Sequence, residues 1–242
     1  MIITTSWDDG HPLDMKLAEL LDKYNISATF YIPCKNGVHK VVENSDLINL
    51  NRRFEIGGHT VNHIFLNTLK KHEAKDEIFN CKSILQEILG EEINAFCFPG
   101  GKYSNRDIDL VKNAGFLFGR TTDLFHTSID LNQTIMNTSI QTYNHKFNTL
   151  LKHCLKRTFI LPIIKYNSFI PHHRNYRKLA QLVLEETSKT NGIFHLWGHS
   201  WEIEKYDLWF EIEETLKMLK DENEAIFLNN SECWNYIRNK II

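Results

Sequence analysis

Two carboxylates side by side, Asp8 and Asp9, end the chain's first apolar stretch, and Gly10 follows them. Adjacent acids repel one another, and burial raises that cost. A cation held between them and further ligands would offset it. The sequence supplies such ligands at His59-Thr60-Val61-Asn62-His63. Histidines four apart on a helical turn point to the same side, so two imidazoles could reach one ion. A carboxylate from another strand, Asp9 or Asp8, completes a two-histidine, one-carboxylate face that leaves positions for water and substrate. The remaining acid is a candidate base for that water. In the helical zinc-protease motif a Glu follows the first His. Here that place holds Thr60, so the base must come from elsewhere in the fold. A second Asp beside the ligand meets the need, because an ordinary aspartate, with a pKa of about 3.9, is ionised at neutral pH. Each motif alone also fits a plain turn; their joint placement is what carries the reading.

A third polar stretch lies late in the chain, His195-Leu-Trp197-Gly-His199-Ser-Trp201-Glu202. Strand alternation puts His195, Trp197 and His199 on one face. His199 is at the strand end and is the candidate acid, since an unperturbed pKa of about 6.5 suits proton donation near neutrality. His195 lies deeper and is expected to pack with its ring hydrogen-bonded. Among the tryptophans, Trp7 and Trp197 read as packing and Trp201 as the better sugar contact, because aromatic faces stack on sugar rings.

Strand-like and helix-like stretches alternate along the chain and must position these residues. Ile2–Trp7, Ser27–Ile32, Phe54–Ile56, Asn94–Phe98, Phe116–Thr122, Thr134–Thr142, Ile193–His199 and Ala225–Leu228 read as strands. Helical patterns fill the intervals, among them Leu13–Tyr24, Leu47–Arg53, His72–Leu89 closed by Gly90, Asn105–Ala114, Phe147–Leu155, Arg177–Ser188 and Ile203–Lys220. This order predicts an α/β fold, a single distorted parallel (β/α) barrel of about seven strands. No linker composition or internal repeat divides it, so one catalytic domain over residues 1–242 is expected. In such a barrel active sites sit at the C-terminal ends of strands. Asp8/Asp9, His59/His63, the Pro99 turn, Arg120 and His199 all fall there.

Bulk properties narrow the function class. Of 242 residues, 42% are hydrophobic, enough for a sizeable core. The 28 Lys plus Arg against 30 Asp plus Glu give a formal net charge of -2, which favours neither nucleic acid nor a membrane surface as partner. Apolar runs are strand-length, so no transmembrane segment is expected. The 5 cysteines (Cys34, Cys81, Cys97, Cys154, Cys233) are scattered and read as buried thiols in a reducing compartment. No leader precedes the first strand, which implies a cytoplasmic protein; the Asn132 and Asn137 glycosylation matches then carry no meaning. Lys152, Lys156, Arg157, Arg174, Arg177 and Lys178 could bind a phosphate on a substrate or simply form solvated helix faces.

Taken in order, Ser6-Trp7-Asp8-Asp9-Gly10, then His59–His63, then Phe98-Pro99-Gly100-Gly101, then His195–Glu202 resembles the polysaccharide deacetylase (NodB-homology, carbohydrate esterase) family. The resemblance runs from Met1 to about Trp201. It implies a metal-dependent carbohydrate deacetylase on a distorted barrel. Asp8 would be general base, Asp9, His59 and His63 the metal ligands, and His199 the general acid. The metal would be zinc, with cobalt or another divalent ion as alternatives. A backbone N–H near Tyr103 would help hold the oxyanion. One departure stands out: family members often carry an Arg in the third motif to orient the base, and Phe96-Cys97-Phe98-Pro99-Gly100 has none. Arg120, at the next strand end, is the candidate replacement. The acid that pairs with the catalytic His would be Asp123 or Glu202. A cytoplasmic enzyme would meet a nucleotide- or lipid-linked precursor of a surface polysaccharide rather than finished polymer. Two alternatives remain: an amidohydrolase of a small non-sugar amide, and a non-catalytic metal-binding barrel.

Overall fold

In the computed structural model, residues 1–129, 131, 134–156, 172 and 174–241 are described. Nine strands among them form one parallel sheet: β1 (Ile2–Asp8), β2 (Ala28–Ile32), β3 (Glu55–Gly58), β4 (Ala95–Cys97), β5 (Phe118–Arg120), β6 (Ile135–Met136), β7 (Ile140–Gln141), β8 (Ile193–Gly198) and β9 (Ile226–Phe227). The order is β6-β5-β4-β3-β2-β1-β8-β7, with β9 added to the start of β1. The α-helices among the described residues are α1 (Asp14–Lys23), α2 (Asn44–Asn51), α3 (Lys71–Leu89), α4 (Asn105–Asn113), α5 (Phe147–Lys156), α6 (Tyr176–Lys189), α7 (Ser200–Lys205), α8 (Trp209–Lys220) and α9 (Asn230–Ile241). The parallel α/β architecture expected from the sequence is present, with a few more strands.

The central strand shows why the sequence folds this way. Every residue of β1 is buried, as a parallel strand covered on both faces requires. In the core cluster that holds Ile3 and Trp7 of β1, α1 buries Leu17, Ala18 and Leu21; each leucine contributes roughly 1.5–3 kcal/mol by leaving water. Gly90 closes α3 in the left-handed conformation (φ 72°), the standard glycine stop.

Two predicted elements are broken in the structure. Thr134–Thr142 is not one strand: Ile135–Met136 pairs with β5 and Ile140–Gln141 pairs with β8, at the two ends of the sheet. Between them Thr138 N–H bonds Asp123 O and Ser139 N–H bonds His195 O. The chain itself crosses the open side, so the barrel is curled but its ladder does not close into a ring. The predicted helix Ile203–Lys220 is likewise two helices, separated at Asp207 (φ 52°).

Strand register sets the active face. Asp8 lies opposite Tyr31, and Tyr31 opposite Gly57. Cys97 lies opposite Arg120, and Trp7 opposite Gly198. Gly57 is needed there: a Cβ would come within 2.5 Å of the Tyr31 ring. Among the described residues no helix is long and apolar enough to cross a membrane.

Candidate active site

Asp8 ends β1 and Asp9 turns out of it, with Asp9 at φ 80° and Gly10 at φ 58°. A left-handed aspartate is uncommon. It separates the two carboxylates into different surroundings. Asp8 stays level with the strand ends and is 2% exposed; one oxygen, Oδ1, is hydrogen-bonded by Arg120 Nη2. The other, Oδ2, faces the Cys97 thiol at 3.7 Å.

Arg120 is fully buried, and its guanidinium lies 4.8 Å from the Trp197 ring centre and 5.1 Å from that of Tyr31. Burial works against its charge, but the Asp8 carboxylate more than offsets that and keeps the guanidinium protonated. Arg120, the side chain expected to reach Asp8, does reach it, from β5.

His59 and His63 follow β3, but not on a helical turn. They sit on a loop that turns at Thr60 (φ 67°) and His63 (φ 54°). Left-handed residues, rather than helical periodicity, bring the rings together, with centroids 4.9 Å apart. Cys34 and Lys35 N–H groups hold the loop through Thr60 and Val61 carbonyls. His59 Nδ1 donates to Cys97 O at 2.9 Å; a carbonyl only accepts, so the lone pair is left on Nε2. That Nε2 is 3.6 Å from Asp9 Oδ1, and His63 Nε2 is 2.9 Å from the same oxygen.

Asp9 Oδ1 is buried and has no hydrogen-bond donor. An orphaned carboxylate oxygen facing two imidazole nitrogens, all within 4.8 Å, fits a divalent cation with nitrogen and oxygen ligands. Asp8, His59 and Cys97 are also within 4.8 Å of one another. That second set is the poorer one: Asp8 is held by Arg120, and burial pushes the Cys97 thiol well up, so it stays protonated.

His199 lies just past β8 and caps the start of α7. Its Nδ1 is 2.5 Å from Glu202 Oε2, which also accepts from Gln141 Nε2 at 3.0 Å. Its Nε2 faces inward, 3.9 Å from Asp9 Oδ2. Burial pulls the imidazole down, but the Glu202 bond and the charges of Asp9 and Asp8 raise it to about 9. Glu202 is thus the acid beside His199. Asp123 instead lies 3.7 Å from His153.

The remaining expectations divide. His195 is buried and hydrogen-bonded to Ser6 Oγ at 2.8 Å and to Asn137 O at 3.2 Å, as its depth suggested. Trp7 and Trp197 are buried packing. Trp201 is not a free sugar platform: it stacks on His39 at 4.5 Å and donates to Asp9 Oδ2 at 2.8 Å. Tyr103 stacks on Phe98 at 4.5 Å. Arg157, the stretch 159–171, Asn132 and the Lys156 and Cys154 side chains lie outside the described residues. Arg177 and Lys178 line a cleft with Gln181 and Glu214. Sequence reasoning missed the Cys97 carbonyl behind His59, the Gln141 support of Glu202 and the Trp201–Asp9 bond. Only the last had a signal: an indole two residues past the candidate acid.

Comparison with known proteins finds a family likeness over the first half of the chain. The family model described as polysaccharide deacetylase matches residues 2–119. The polysaccharide deacetylase candidate YxkH of Bacillus subtilis (strain 168) is 23% identical over 124 residues, half of this chain. The chain spans 44% of that relative's length. A solved polysaccharide deacetylase candidate from Mycobacterium smegmatis shares the fold, with TM-score 0.71 and 12% identity over 99% of this chain and 91% of its own. So does BA3943 of Bacillus anthracis, described as a CE4 family pseudoenzyme, with TM-score 0.56 and 12% identity over 96% of this chain and 65% of its own. The fold alone therefore does not carry the activity.

Proposed function

We propose that this chain, similar over its first half to the polysaccharide deacetylases, is a metal-dependent hydrolase that removes an N-acetyl group from a sugar. One observation carries the reading. The buried, unpartnered Asp9 Oδ1 faces two imidazole nitrogens, and a carboxylate–arginine pair and a histidine–carboxylate pair flank it.

In this reading Asp9, His59 and His63 hold a divalent ion, zinc by ligand preference with cobalt as an alternative. Such an ion, when bound, acidifies water and polarises a carbonyl oxygen. The chain's own groups do the proton work. Arg120 fixes one Asp8 oxygen, so Oδ2 is the atom left to take the proton from the attacking water. Glu202 fixes His199 Nδ1, so Nε2 is the atom that gives a proton to the departing amine. An imidazole raised to about 9 is charged at neutral pH and suits an amine leaving group. A metal-binding barrel without catalysis would need neither pair.

The test is acetate release from N-acetyl sugars, free and nucleotide-linked, by metal-loaded protein. Asp8→Asn should keep the ion and lose at least about 100-fold in kcat. Asp9→Asn should lose the ion. The reverse pattern would exchange the two roles, and release from small non-sugar amides alone would reassign the substrate. Wild type unable to take up a divalent ion would remove the proposal.

A further inference from the structure

Trp201 makes a contact that a sugar-stacking residue does not need. Its indole Nε1 donates to Asp9 Oδ2 at 2.8 Å, while Oδ1 of the same carboxylate is buried, without a donor and turned to His59 and His63. A free carboxylate rotates and offers either oxygen. Engaging one fixes which of them faces the imidazoles. An indole N–H only donates, so Trp201 cannot itself be a ligand.

The ring is held from several directions. His39, on the segment between β2 and α2, stacks on it at 4.5 Å with 28° between planes, and His11 meets His39 edge-on at 5.8 Å. His199 is tilted against it at 5.3 Å. The first turn of α7, which carries Trp201, is anchored where Ser200 Oγ bonds the fully buried Asp14. The His39 segment, braced by His11, and the anchored turn that carries His199 and Ser200 thus fix one indole, and the indole fixes one oxygen.

We infer that Trp201 is a positioning residue that presents Asp9 to the ion through Oδ1 alone and so raises the affinity of the His59–His63–Asp9 set for a divalent cation. This rests on the metal-site reading above. Hydrogen bonds to ligating side chains typically matter by 10–100-fold in metal affinity. Single-oxygen ligation also leaves more of the ion's positions for water and substrate.

The experiment is a Zn2+ titration of metal-free full-length protein against a chromophoric chelator. Trp201→Phe keeps a ring on His39 and loses only the donor; its Kd for Zn2+ should rise about 10–100-fold. The metal-free Tm should stay close to wild type, which a merely structural role would lower instead. His39→Ala, which loosens the ring but keeps the N–H, should raise Kd less. In wild type the Trp201 indole N–H resonance, identified by its loss in the Phe variant, should move as Zn2+ is added. Unchanged Kd in Trp201→Phe, or an indole signal indifferent to Zn2+, overturns this inference alone. Wild type that binds no Zn2+ overturns it together with the proposed function.

Discussion

His195 inside β8 and His199 just beyond its end differ in depth and in charge, one neutral and one protonated at pH 7. His195 is 1% exposed; burial and the nearby Arg120 push it down to about 3, against a small pull upward from the Asn137 carbonyl. Burial also pulls His199 down, yet Glu202, Asp9 and Asp8 raise it to about 9. Desolvation acts the same way on both. The difference is the sign of the neighbouring charge: a guanidinium reaches one ring and carboxylates surround the other. The barrel interior keeps a neutral histidine as a hydrogen-bonding spacer, and its rim keeps a charged one among carboxylates.

Exchanging the two for glutamine gives the largest expected effect. His199→Gln should lower kcat for acetate release by about 100- to 10,000-fold, with the melting curve little changed. His195→Gln should do the reverse, with near wild-type kcat and a lower Tm, because Ser6 Oγ and the Asn137 carbonyl lose a fitted partner. Equal losses of activity in both variants would erase the distinction between rim and interior.

The sequence made part of this contrast legible. Strand alternation and depth put His195 and His199 on one face at different depths, and the lack of an arginine in the third motif pointed to Arg120 as the side chain to reach Asp8. Local periodicity misled where the backbone leaves regular structure. His59 and His63 fit a helical repeat, but Thr60 and His63 adopt left-handed turns instead. Thr134–Thr142 is β-rich throughout, but in its middle it leaves β5, bonds to Asp123 and joins β8 at His195 instead of continuing as one strand. The choice between Asp123 and Glu202 depended on where that crossing falls, a tertiary fact with no local signature. The Trp201–Asp9 bond spans nearly the whole chain; spacing places the indole two residues past His199 but does not name its partner.

A smaller effect sharpens the rim half of the comparison. Glu202→Gln keeps the shape beside His199 Nδ1 but removes the carboxylate that does most to raise it. The His199 pKa should fall toward its ordinary value, so the alkaline limb of the pH–rate profile moves to lower pH. Near pH 8 the activity should drop by about tenfold, in line with the loss of a charge-assisted hydrogen bond. A profile with an unmoved alkaline limb would show that Glu202 does not set the charge of His199.

The smallest effect belongs to the interior half and reads out in stability. His195 stays neutral in the folded chain down to about pH 3, whereas in the unfolded chain it takes a proton below its ordinary pKa of about 6.5. Below that pH the unfolded state binds more protons, so folding stability falls as pH falls, by up to about 1.4 kcal/mol per pH unit. Above about pH 6.5 neither state is protonated and the contribution is fully present. Urea unfolding at pH 7, 6 and 5 should therefore show wild type losing stability more steeply than His195→Gln, after the constant cost of the substitution is subtracted. Parallel curves would mean that the buried ring accepts its proton in place. The repulsion assigned to Arg120 would then be too weak to separate the two histidines.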